Sequence, residues 1–176
     1  MSRGLVVDPR GSVDRPTTAG PPPAITDLAG LRVGIRHDGT WRSWAWVYGD
    51  WVARLAGLGA TTHLWQSGGH DEATATAQRA FYEGSDIVVA GLCNCGSCTL
   101  HTVRDAVGAL DRAIPTVVVS TGHFEAHARR FATELGWDDL PMVVLPAGLE
   151  GRPQDEVLAV ADERFPDVLA ALARTR

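Results

Sequence analysis

Residues 86–112 read DIVVAGLCNCGSCTLHTVRDAVGALDR. The run from Asp86 to Ala90 is continuously apolar and β-favouring, as expected of a strand buried on both faces. From Thr99 to Arg112 the pattern turns helical: Leu100, Val103, Val107 and Leu110 share one stripe, with His101, Arg104 and Asp105 off it. Between them lies a short glycine- and cysteine-rich turn. The same alternation continues outward. Upstream stand LRVGI from Leu31, a helical period over Trp41 to Leu58, THLW, and a helical period over Glu72 to Tyr82. Downstream stand TVVVS, a helical period over Phe124 to Leu135 with Gly136 placed as its C-cap, MVVL, and helical segments to the end. This βαβαβαβαβα order predicts a single three-layer α/β domain with a mostly parallel five-stranded sheet, flavodoxin-like or Rossmann-like, in the strand order 2-1-3-4-5. Residues 1–30, rich in Pro, Gly and Thr, read as an irregular leader, and residues 31–176 as the domain.

In such a sheet ligands bind beyond the carboxyl ends of the strands at the switch point, here between the first and third strands. The residues expected there are His37 and Asp38 after strand one, Cys93 to Cys98 after strand three, and Thr121 and His123 after strand four. The 176 residues, 45% hydrophobic, suffice for one well-filled core. A net charge of −5 speaks against nucleic acid or an anionic membrane as partner, which leaves a small-molecule substrate or another protein. No lysine is present, which removes Schiff-base and phosphate-loop lysine chemistry. No signal-peptide pattern or membrane-length apolar run is visible, so a cytoplasmic location is expected.

All three cysteines fall in GLCNCGSCT, residues 91–99. In a reducing compartment such clustering points to catalysis or metal binding rather than to structural disulfides. Cys95-Gly96-Ser97-Cys98 is a C-x-x-C at a helix start, where unpaired N–H groups and the helix dipole favour a thiolate. Cys95 is therefore the expected nucleophile. Cys98, one turn on, is placed to resolve a mixed disulfide or to close a disulfide onto Cys95, with Ser97 or Thr99 available to cap the helix. His123 is the expected proton carrier, and Ser97, Thr99, His37, Asp38 and Thr121 the substrate-binding set. Cys93 is a third candidate at the catalytic site. In the alternative reading Cys93, Cys95 and Cys98 hold zinc or a transition metal, with His37, His101 or His123 completing the shell, for a lyase or hydratase. His101 and Asp105, four residues apart, read as a surface pair. Trp44, Val47, Trp51, Leu55 and Leu58 read as a core stripe; Trp41 and Trp46 lie off it, with core packing as the default reading and the pocket mouth or an oligomer contact as the alternative.

CGSCT after a Val-rich strand, followed by a helix carrying Asp105 and then by AIPTVVVST and HF, resembles the UGSC-motif family, in which selenocysteine or cysteine opens U-G-S-C. VVDPRG and LAGLRVGI extend the likeness. The resemblance implies an α/β domain with the motif on a strand-to-helix loop, thiol or selenol redox chemistry, and a nucleophile at Cys95 partnered by Cys98. More distantly the arrangement is similar to selenoprotein subunits of amino-acid reductases such as glycine reductase. The expected activity is thus a cysteine-dependent, oxidoreductase-like reaction on a small electrophilic sulfur or carbon. An external thiol reductant or a partner reductase subunit would supply the electrons, because no G-x-G-x-x-G follows strand one. A non-catalytic thiol subunit of a larger reductase, and a homo-oligomer, are left open.

Overall fold

A computed structural model describes residues 21–68 and 72–174. Five strands alternate with five main helices: β1 (Arg32–His37), α1 (Arg42–Gly57), β2 (Thr61–Gln66), α2 (Glu72–Glu83), β3 (Ile87–Cys93), α3 (Gly96–Leu110), β4 (Thr116–Thr121), α4 (Glu125–Glu134), β5 (Met142–Leu145) and α5 (Gln154–Leu172). A short 3-10 turn at Leu149–Gly151, not foreseen in the sequence, precedes α5. Every neighbouring strand pair is parallel, in the order β2-β1-β3-β4-β5, which is the expected flavodoxin-like arrangement. No helix among the described residues is long and apolar enough to cross a membrane.

The order of the strands dictates which helices share a face. The chain moves one way along the sheet from β1 to β2 and the other way through β3, β4 and β5, so right-handed crossovers put α1 opposite α2, α3 and α4. Strand residues divide accordingly with period two. Val33, Ile35, Ile87, Val89, Val117 and Val119 pack under α1 and α5, while Val88, Ala90 and Val118 pack under α2, α3 and α4. Arg36 is in register with the second set. A charged side chain on that face of a central strand must find its partners inside the protein.

Residues 21–30 form no helix or strand, but they are tied to the domain: the Ile25 N–H donates to the Leu172 carbonyl at 2.9 Å, and Leu28 is buried. The rest of the expected leader, residues 1–20, lies outside the described residues, as does VVDPRG within it.

Three expectations need correction. β3 does not stop at Ala90 but runs to Cys93, entirely buried, after a register shift against β4 between Ala90 and Cys93. α3 begins at Gly96 rather than Thr99, and its buried stripe is Thr99, Thr102, Val103, Ala106, Val107 and Leu110, with Leu100 only half-buried. Leu58 is 45% exposed because α1 ends at Gly57, whereas Trp44, Val47, Trp51 and Leu55 are buried as expected. Trp41 and Trp46 pack part-buried against the α1–α5 core, in line with the default reading for both. Gly136, with φ 72°, stands just past the end of α4 as the sequence suggested.

Gly91 shows why this strand end tolerates no side chain. A Cβ there would lie 2.5 Å from Cε2 of the Trp44 indole, which is itself 1% exposed and has nowhere to retreat. Gly91→Ala is expected to destabilise the fold by about 1–3 kcal/mol through overpacking. Urea denaturation would measure this, and an unchanged midpoint would mean that the indole can move aside.

Candidate functional site: the β3–α3 cysteine turn and its cavity

Asn94 is the single residue between the end of β3 and the N-cap of α3, so the turn carrying the cysteines is tight. Cys95 is the N-cap, in extended conformation, and its sulfur accepts the Cys98 N–H at 3.1 Å. The cap is thus the cysteine itself, not Ser97 or Thr99. Cys95 and Cys98 are joined as a disulfide across a Cα–Cα distance of 5.2 Å, and Ser97 Oγ stands 3.5 Å from Cys95 Sγ. The C-x-x-C spacing places both sulfurs on the first turn of α3, where partial positive charge and unpaired N–H groups collect.

Thr99 and Thr121 serve the turn rather than its surroundings. Thr99 is fully buried, and its hydroxyl donates to the Cys95 carbonyl at 2.6 Å. Thr121, also buried, donates to Asn94 Oδ1 at 2.9 Å and to the Cys93 carbonyl at 3.3 Å, which ties the end of β4 to the cysteine turn. Neither hydroxyl is presented to a substrate. Residues expected to bind ligand have instead been consumed in fixing the backbone that carries the thiols.

Cys93, the last residue of β3, points into the core beneath α3. Burial pushes its thiol up to about 12, against smaller opposing effects of Arg36 and the Thr102 and Thr99 hydroxyls. Because folding raises this thiol, the stability it contributes is complete below the ordinary thiol range and is lost as the pH climbs toward 12. It is a free thiol, but neither its burial nor its basicity suits a nucleophile. The three sulfurs do not converge, and among the described residues no group of three His, Cys, Asp or Glu side chains is placed to hold a metal ion. In the reduced protein, iodoacetamide at about pH 8 is expected to label Cys95 and Cys98 and to spare Cys93 until denaturant is added. Peptide mapping would show it, and equal native labelling of all three would contradict the buried placement.

Beside the disulfide opens a cavity of about 290 Å³ lined by Arg36, Asp38, Thr40, Ser67, Gly68, Ser97, Cys98 and His101. It lies between the carboxyl ends of β1 and β2 and the start of α3, at the switch point. Of the expected site residues, Asp38, Ser97 and Cys98 line it. His37 stands one position back: its ring packs on Tyr48 at 5.4 Å, and burial lowers its pKa, with Asp38 opposing that shift and Arg36 adding to it. His123 is exposed on the turn after β4 and does not line the cavity.

The cavity is built on Arg36, a residue outside every sequence motif. Arg36, 1% exposed, donates from Nε to Asp105 Oδ2 at 2.8 Å, from Nη1 to the Gly91 carbonyl at 3.0 Å and Thr102 Oγ1 at 2.7 Å, and from Nη2 to Ser67 Oγ at 3.1 Å. Asp105 also accepts from Ser67 Oγ at 3.0 Å and from Gln78 Nε2 at 2.8 Å, and its backbone carbonyl accepts the Tyr82 hydroxyl. The carboxylate expected on the surface beside His101 is therefore turned inward as the counter-ion of Arg36. One guanidinium joins β1, the loop after β2, the end of β3 and the middle of α3.

No curated protein matches the chain. A match to the UGSC family extends over residues 5–174, nearly the whole sequence and well beyond the C-G-S-C motif. The fold, the motif's position on a strand-to-helix turn and the extent of that match agree: this chain belongs to the UGSC family.

Proposed function

We propose that the protein is a thiol-dependent oxidoreductase-like enzyme in which Cys95 and Cys98 cycle between dithiol and disulfide while acting on a small electrophilic sulfur compound. One observation carries this reading: the two cysteines share the first turn of α3, bonded to each other, with Cys98 on the wall of a polar cavity. In the dithiol form the Cys98 N–H and the helix start favour the thiolate of Cys95.

That thiolate attacks one sulfur of a substrate disulfide and forms a Cys95 mixed disulfide, and the first half of the substrate leaves as a thiolate. Cys98 then gives up its proton to water, attacks the Cys95 sulfur and expels the second half. The substrate gains two electrons and the protein loses two. A small dithiol or a dithiol protein reverses that loss by the same exchange. His123, exposed and outside the cavity, is not needed for either step.

The test is anaerobic incubation of the fully reduced chain with 2-hydroxyethyl disulfide. Release of two thiols per chain, with the Cys95–Cys98 peptide recovered in oxidised form, is expected. Cys95→Ser should slow the release by about 100-fold or more. A Cys95→Ser chain that releases thiol as fast as the native one would overturn the assignment.

A further inference from the structure

The cavity wall carries a charge arrangement that the exchange reaction itself does not use. A guanidinium has five N–H donors. Four of those on Arg36 are engaged by Asp105, Gly91, Thr102 and Ser67, so the second Nη2 hydrogen has no acceptor among the described residues. The Gly96 and Ser97 amides, in the first turn of α3, likewise have no acceptor within the helix. A buried cation with a spare donor beside a helix start favours an anionic oxygen.

Asp38 lines the same cavity with the opposite demand. Its Oδ1 accepts the Thr40 N–H at 2.8 Å, while Oδ2 is buried with no hydrogen-bond partner among the described residues. An orphan carboxylate oxygen is costly until a donor reaches it. Arg36 and Asp105 pair with each other, so among the described residues the Asp38 carboxylate has no salt-bridge partner. A plain anion entering here meets Asp38, and a plain cation meets Arg36 and the start of α3. A ligand bearing both charges a few bonds apart meets neither penalty.

We infer that the cavity recognises a small zwitterion of the α-amino-acid type, its carboxylate directed to Arg36 Nη2 and the Ser97 amide and its ammonium to the Asp38 carboxylate. A cavity of about 290 Å³ suits a ligand of that size. The inference deepens the proposed function and rests on it only in making this zwitterion the recognition group of the substrate. The compound attacked would then be a disulfide with an amino-acid head.

The experiment uses the oxidised full-length chain, in which thiol exchange is silent, and titrates L-alanine, propanoate and ethylamine separately while backbone amide resonances are followed. L-alanine is expected to shift the Ser97 and Gly68 amides with a Kd about tenfold or more below that of either single-charge probe. Asp38→Asn should bring L-alanine down to the level of propanoate. Propanoate or ethylamine binding as tightly as L-alanine, or no binding by L-alanine, would overturn the inference. The probes act on the native chain, so this outcome does not depend on a variant folding. It is also separable from the redox reading, since a chain that binds L-alanine but releases no thiol from disulfides fails only the latter.

Discussion

Arg36→Met should lower the unfolding free energy by about 3–5 kcal/mol, the range found when one member of a buried ion pair is removed. Methionine fills much of the arginine stem's volume, so the loss is electrostatic rather than a cavity effect. The Asp105 carboxylate, 13% exposed, would keep only Ser67 and Gln78, and the Gly91 carbonyl and the Thr102 hydroxyl would each lose a buried partner. Arg36→Lys keeps the charge but loses the fork that reaches four acceptors at once, so it should fall between the two. The double variant Arg36→Met with Asp105→Leu should recover part of the loss, because it leaves no unpaired charge. Guanidinium denaturation of the three variants measures all of this. A loss below about 1 kcal/mol for Arg36→Met would show that water enters freely and that the pair is not sealed.

Cys98→Ser should convert a turning-over protein into a trap. With Cys95 able to attack and nothing to resolve the adduct, the mixed disulfide with 2-hydroxyethyl disulfide should accumulate to nearly one per chain and release a single thiol rather than two. Cys95→Ser should accumulate no adduct on that time scale, because Cys98 lacks the N-cap position at which a sulfur accepts a backbone N–H. Intact-mass spectrometry distinguishes the two variants directly. Adducts on Cys98 in the Cys95→Ser chain, forming as fast as those on Cys95 in the Cys98→Ser chain, would reverse the roles of nucleophile and resolver.

The sheet was legible because its signals are local. Val-rich runs, helical stripes and a C-cap glycine each follow from a few neighbouring residues, whereas their alternation suggests the strand order 2-1-3-4-5 without fixing it. The C-x-x-C was legible for the same reason. The floor of the cavity was not, because it joins positions 36, 67, 91, 102 and 105, which no sequence window contains together. A signal did exist: Arg36 follows Gly34 on the inward-alternating face of a central strand, and a buried arginine requires a carboxylate on the helix above. A stripe that starts from Leu100 puts Asp105 on the surface of α3, whereas the buried face runs through Thr99 and Thr102. Threonine is not an obvious core residue in a sequence, yet the hydroxyls of Thr99 and Thr102 are what make that face of the helix buried and still polar. A strand that ends at Ala90 leaves Cys93 in the turn with the other thiols, whereas the three further residues of β3 carry it into the core.

The start of α1 has no side-chain cap of its own, and its first amides are met from the other end of the domain: Glu150 accepts the Arg42 N–H at 3.2 Å and the Ser43 N–H at 2.9 Å, across 108 and 107 residues. Since an acceptor so distant in the chain can arrive only after β5 is laid down, the first crossover cannot complete its opening turn when it is synthesised. The helix that sets one face of the sheet is among the first to appear on the ribosome and among the last to be finished.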